Sequence, residues 1–302
     1  MRVPDARRPA ARTGPPARAL RALAAAAALL AAPAAAQQPA SGEAALSPEC
    51  RVPTGQLYTV APLPAVRAAL KAGRPLKVLA VGGSAAPGAS ASYPVKLEAA
   101  LEANLPKADV LIEHRGLPGE IASGAAERLH SLVADVEPDL VVWQVGTHDA
   151  MARVDPDAFA AALDEAVAWL KSHGIDVVLV DPLYTASVAG DADYNRIVAV
   201  VREVAARERV PLVQRFEALR YLAGRSGGAD GHMLGRQFRL NDLGLRCMAE
   251  HVALTVATAL QAEPAGPAKA DPSRPDPGKA DPGKADPGKA DPALTAPQRA
   301  PG

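Results

Sequence analysis

Aromatic residues are scarce: three Phe, two Trp and five Tyr make up 3% of a 302-residue chain. So little ring surface leaves few partners to stack on a flavin or a nucleotide base, which counts against a nucleotide or flavin binder. Cysteine is scarcer still, with Cys50 and Cys247 the two present. Neither closely follows the N-terminal apolar run, so that run has no neighbouring site for lipid attachment. The run itself, residues 22–32, is almost all Ala and Leu and is too short to span a bilayer. Net charge is absent as well, with 33 Lys and Arg against 33 Asp and Glu.

What surrounds the apolar run gives it a meaning. Arg2, Arg7, Arg8, Arg12, Arg18 and Arg21 form a basic start, and Ala34-Ala35-Ala36 places small residues before Gln37. This is the pattern of a secretory signal, expected over residues 1–36, with a retained N-terminal anchor as the alternative. Cleavage would remove six arginines and Asp5, leaving 27 basic against 32 acidic residues and a net charge near −5. That balance argues against nucleic acid as a partner. The expected location is periplasmic or secreted, with no stable membrane insertion after signal cleavage. An oxidising compartment favours a disulfide between Cys50 and Cys247 over two separately packed thiols.

The other end of the chain, residues 263–302, repeats Lys-Ala-Asp-Pro-Gly in register from Lys279 to Pro292. Proline at this density excludes helix and sheet, and a disordered spacer or tether is expected. The expected organisation is therefore a signal (1–36), an N-terminal arm (37–62), one α/β domain (63–262) and the repeat tail (263–302).

Within the domain, apolar runs alternate with segments of helical period. Strands are expected at 76–81, 110–112, 140–145, 175–180 and 210–213. Helices are expected at 93–104, 121–136, 159–173, 194–208 and 243–260. In the 93–104 helix, Val95, Leu97, Leu101 and Leu105 fall at helical spacing. Such alternation builds a parallel sheet covered by helices on both faces, a flavodoxin-like three-layer α/β/α fold with about five strands.

Two of these strands stop at glycine and then present polar side chains. Val78-Leu79-Ala80-Val81 runs into Gly82-Gly83-Ser84, and Val141-Val142-Trp143-Gln144-Val145 into Gly146-Thr147-His148-Asp149. Sites in open parallel sheets are built at the carboxyl ends of strands. Alone, Gly-Gly-Ser also suits a plain turn, and as a phosphate loop it lacks both a Gly-Lys-Ser/Thr ending and a Gly-x-Gly-x-x-Gly spacing. Together with Glu113-His114-Arg115-Gly116-Leu117-Pro118-Gly119-Glu120, the segments resemble the first three blocks of the SGNH/GDSL hydrolases. Pro138-Asp139 leads into the third block, and Phe238-Arg239-Leu240-Asn241-Asp242 is similar to the last. The resemblance covers about residues 76–256.

The resemblance implies a serine ester hydrolase without metal or cofactor, acting as a monomer on a small-molecule or polysaccharide ester. Ser84 would be the nucleophile, with Gly83 lining the substrate's approach. Gly119, with Gly116 as the second choice, would give an oxyanion N–H. His148 stands where the family has an asparagine donor and can also donate an N–H. Asp149 matches the loop-ordering aspartate and is a substrate-binding candidate.

The last block departs from the pattern. The family's Asp-x-x-His positions read Arg236 and Arg239, and an arginine cannot take a proton from serine. Two expectations follow. In one, His232, oriented by Asp230, enters as a substitute base, and O-acyl esters of a glycan or cell-wall polymer are the substrate class. His114 could also edge the crevice. In the other, the site is inactive and binds an acylated glycan or a protein, with Arg236 and Arg239 offering positive charge to a carboxylate or phosphate.

Overall fold

The computed structural model describes residues 45–83, 93–225, 233–234 and 239–262, all within one unit, Pro39–Gly302. Ser84, Asp230, His232 and Arg236, the expected signal and the repeat tail lie outside the described residues.

Six strands form one sheet: β1 (Tyr58–Thr59), β2 (Leu76–Val81), β3 (Val110–His114), β4 (Leu140–Gln144), β5 (Asp176–Val180) and β6 (Leu212–Val213). Their order is β1-β6-β5-β4-β2-β3, and every pairing is parallel except β1 with β6. The sheet thus has one strand more than the alternation of the domain suggests. The extra edge comes from the arm, and two residues with one buried neighbour carry too little periodicity to be read as a strand.

Eight helices occupy the described connections: α1 (Pro64–Ala72), α2 (Tyr93–Asn104), α3 (Ala122–Val136), α4 (Thr147–Met151), α5 (Pro156–Ser172), α6 (Ala192–Glu208), α7 (Arg215–Arg225) and α8 (Asp242–Gln261). Three of these, α1, α4 and α7, have no counterpart in the sequence expectation. Strand side chains alternate between two cores, as a two-residue period requires. Leu79, Val141, Trp143, Val177 and Leu179 pack with α3, α5 and α6. Val78, Ala80, Val142, Val178 and Val180 pack with α1, α2 and α8. This is the three-layer α/β/α sandwich. In α2 the buried face is Tyr93, Leu97 and Leu101, and Val95 is exposed, which corrects its expected core position.

Helix ends follow local chemistry. Asp155 and Asp191 cap α5 and α6 through their carboxylates, and the Asn241 side chain accepts from Gly244 N at the start of α8. Glu137, just before Pro138, ends α3 in the left-handed conformation. α8 is long and apolar enough to cross a membrane by composition, but two thirds of that stretch is buried in the protein as a core helix.

The arm is stitched to α8. Cys50 and Cys247 form a disulfide, with their Cα atoms 5.0 Å apart across 197 residues of sequence. Leu46, Val52 and Leu57 fill a small core with Leu219, Leu222 and Leu254. Beside the disulfide, buried His251 donates through Nε2 to the Cys50 carbonyl at 2.7 Å. Burial pushes its pKa down to about 4, against the bond to Cys50, which pulls it up. The folded protein therefore resists a proton that the unfolded chain accepts near pH 6.5, and His251 lowers stability progressively as pH falls from about 6.5 to about 4. His251→Gln keeps a donor for Cys50 without that penalty. Urea unfolding should show the variant gaining stability relative to the parent across that window. A difference that does not vary with pH would contradict the assignment.

Candidate functional site

The crevice opens at the carboxyl ends of β2 and β4. These adjacent strands are where the chain reverses its direction of travel across the sheet, the place where open α/β sheets build sites. β2 runs straight into Gly82 and Gly83, with φ of 75° and 67°. At Gly82 a Cβ would strike the carbonyl oxygen of Gln144 on the neighbouring strand, so neither the conformation nor the space admits another residue. Gly116, from the loop after β3, lies against the carbonyls of Gly82 and Gly83 with equally little room. The backbone leading to residue 84 is thereby clamped between two strands and a loop.

β3 delivers His114 to the crevice wall, where its Nε2 lies 3.1 Å from the Gly82 carbonyl. The acceptor is a carbonyl, so the ring carries its proton on Nε2 and leaves Nδ1 with a lone pair. Burial, and to a lesser degree nearby Arg115, lower its pKa against the upward pull of the Gly82 bond. Beyond it, the 117–120 turn closes through Glu120 N to Leu117 O at 3.3 Å and puts Gly119 on the surface with φ 77°. Glu120 is an ion-pair partner of Arg128 and also lines the crevice.

β4 ends at Gln144, and Gly146 turns the chain into α4. His148 lines the crevice, and Thr147 Oγ1 accepts from Leu183 N at 3.1 Å. Asp149 is not among the described residues that line the crevice. It is buried, and its Oδ1 accepts from Ala122 N at 2.8 Å, tying the start of α3 to α4. Burial raises its pKa despite several backbone donors. The aspartate thus orders the loops around the site, the role that its match to the family's third block implies.

Arg239 is exposed and lines the mouth of the crevice. Gly83 is also in the wall. Of the other described histidines, His130 and His173 flank the Trp169 ring on α5 and His251 is sealed in the core, and none of them lines the crevice.

Tyr93, Gln144 and Arg215 are among the lining residues that escaped the sequence reading. Arg215 follows β6 by two residues and is buried. Its Nε donates to the Asp181 carbonyl at 2.8 Å and its Nη1 to Gln144 Oε1 at 2.9 Å. Burial lowers its pKa. Gln144 and Arg215 each stand at or just beyond a strand's carboxyl end, so the rule that singled out Ser84 and His148 could have found them. Tyr93 lies on α2, where nothing in the helical pattern separates it from core.

The residues 49–262 match the model of the non-GDSL lipase-like family. The chain belongs to that family. The name suits its first block, which reads Gly82-Gly83-Ser84-Ala85 rather than Gly-Asp-Ser-Leu. No curated protein matches the sequence. Solved SGNH/GDSL esterases and lipases share the fold of this lipase-like chain. An acetyl xylan esterase is 22% identical over 59% of this chain and 98% of its own, with a TM-score of 0.52. A two-domain esterase active on acetylated mannans is 18% identical over 71% of this chain and 59% of its own, with a TM-score of 0.55. A GDSL-like lipase from Parabacteroides merdae is 14% identical over 61% of this chain and 98% of its own, with a TM-score of 0.52. At these identities the likeness is one of fold.

Proposed function

We propose that the protein is a serine ester hydrolase that removes O-acetyl groups from a glycan or cell-wall polymer. The clamped Gly82-Gly83 turn at the strand switch point carries this reading, because a serine follows it directly in the sequence. The substrate class draws on relatives of the same fold that act on acetylated xylan and mannan. Export through a 1–36 signal, an arm at 37–62, a hydrolase domain at 63–262, a tethering tail at 263–302 and action as a monomer complete the proposal.

In this mechanism Ser84 Oγ attacks the acetyl carbonyl carbon while its proton passes to His114 Nδ1. The developing oxyanion is held by the Ser84 and Gly119 amides and by an N–H of His148. The C–O bond to the sugar breaks, and the sugar oxygen takes the proton from His114. Water then hydrolyses the acetyl-serine, releasing acetate and restoring Ser84. His232 with Asp230 is the competing base, separated from His114 by mutation. Arg239 favours a second reading, a non-catalytic binder of an acylated glycan, because a permanent cation stands where the family's base belongs.

Acetate release from acetylated xylan, acetylated mannan and 4-nitrophenyl acetate by the 37–302 chain separates the two readings. The expected result is release that falls to the buffer rate in Ser84→Ala. Equal rates for the folded parent and Ser84→Ala would establish the binder.

A further inference from the structure

Two groups on the floor of the crevice have complementary shortages. Arg215 is 6% exposed, and its described partners are all neutral: the Asp181 carbonyl, Gln144 Oε1, Met248 Sδ at 3.5 Å and Thr147 Oγ1 at 3.3 Å. Its neighbour Asp181 attracts it electrostatically but makes no direct ion pair with it. That carboxylate accepts from Phe216 N at 2.7 Å and lies 3.5 Å from Arg202. The second group is Tyr93, 2% exposed, whose hydroxyl has no hydrogen-bond partner. Both line the same cavity, and the two interact electrostatically. A buried cation with no carboxylate in direct contact and a buried donor without an acceptor are each costly, and a ligand carboxylate would satisfy both.

We propose that Arg215 and Tyr93 form a carboxylate-binding subsite at the base of the crevice. One carboxylate oxygen accepts from the Tyr93 hydroxyl, and the group accepts from Arg215 Nη2, whose present contact with Thr147 is the longest of its oxygen bonds. A single guanidinium edge and one phenol suit a planar monoanion better than a phosphate, which presents more charge than they can match. Gln144 Oε1 is held by Arg215 Nη1, so the amide end of that side chain, packed under Gly83, is oriented by the same cation. The subsite lies beside the Gly82-Gly83 turn, so its ligand sits within the working crevice. Two sources offer this chemistry: acetate freed by ester cleavage, and a uronic-acid carboxylate carried on the glycan.

The subsite does not require a reactive serine, so binding tests it separately from turnover. Saturation-transfer NMR on the disulfide-bonded 37–302 chain carrying Ser84→Ala would titrate sodium acetate and sodium glucuronate, with glucose and sodium chloride as controls at matched ionic strength. At least one carboxylate should saturate, and Tyr93→Phe should weaken it at least fivefold without altering the fold. Arg215→Gln should abolish it. If Arg215→Gln does not fold, Tyr93→Phe alone decides. Saturation by acetate alone assigns the subsite to the freed product. Saturation by glucuronate, with or without acetate, assigns it to the polymer. No saturable carboxylate binding, or equal affinity in Tyr93→Phe, overturns the proposal.

Discussion

His114→Gln lowers ester hydrolysis by roughly 10²- to 10⁴-fold, the usual loss on removing a general base. His114 is a described histidine of the crevice held by a backbone acceptor, with Nε2 on the Gly82 carbonyl at 3.1 Å. That contact fixes the tautomer that leaves Nδ1 free. Its burial lowers its pKa, so the ring stays unprotonated and able to accept a proton at a lower pH than an ordinary histidine. Glutamine can still donate to Gly82, so the Gly82-Gly83 turn stays in place while the proposed base is lost. The acid limb of kcat/KM against pH for 4-nitrophenyl acetate should accordingly lie below pH 6.5, with activity rising as the imidazole loses its proton. A parallel His232→Ala variant completes the test. If His232→Ala removes turnover and His114→Gln does not, the base comes from the loop carrying Asp230 and His232.

Reducing the Cys50–Cys247 disulfide, or replacing Cys247 by serine, destabilises the protein by about 5 kcal/mol in the chain-entropy model for a loop of this length. The bond closes 197 residues, nearly the whole domain, so it limits the unfolded chain more than a short bridge would. Native contacts depend on it as well. Leu57 O accepts from Gln214 N at 2.8 Å, and β1 forms the edge beside β6. Gln214 is followed directly by Arg215, so loosening the arm reaches the floor of the crevice. Urea unfolding with and without reductant measures the loss. A change below about 1 kcal/mol would show that arm packing, rather than the cross-link, carries the stability.

The sheet was legible because its central strands are mostly apolar. Val141, Val142 and Trp143 are buried on both faces, and such runs between helical segments read as parallel strands. The arm's contribution was not, because Tyr58–Thr59 is a strand by pairing rather than by pattern. α4 is one turn after a glycine, and α7 carries Arg215, Glu217 and Arg220 among its apolar positions, which blurs the helical stripe. At the site, glycines and polar residues that close apolar strands line the crevice. What sequence could not supply was direction. Asp149 sits in the third block yet turns inward to Ala122, whereas Tyr93 belongs to a core helix yet lines the crevice. Side-chain direction at a strand end depends on how neighbouring loops fold, and no period encodes it.

The central claim is an activated serine at residue 84. Labelling the folded 37–302 chain with a fluorophosphonate probe, then mapping the adduct by mass spectrometry, tests it most directly. The account predicts stoichiometric label on Ser84, absent from Ser84→Ala and slowed in His114→Gln. A folded, disulfide-bonded protein that takes up no label would contradict it and leave the crevice as a binding site alone.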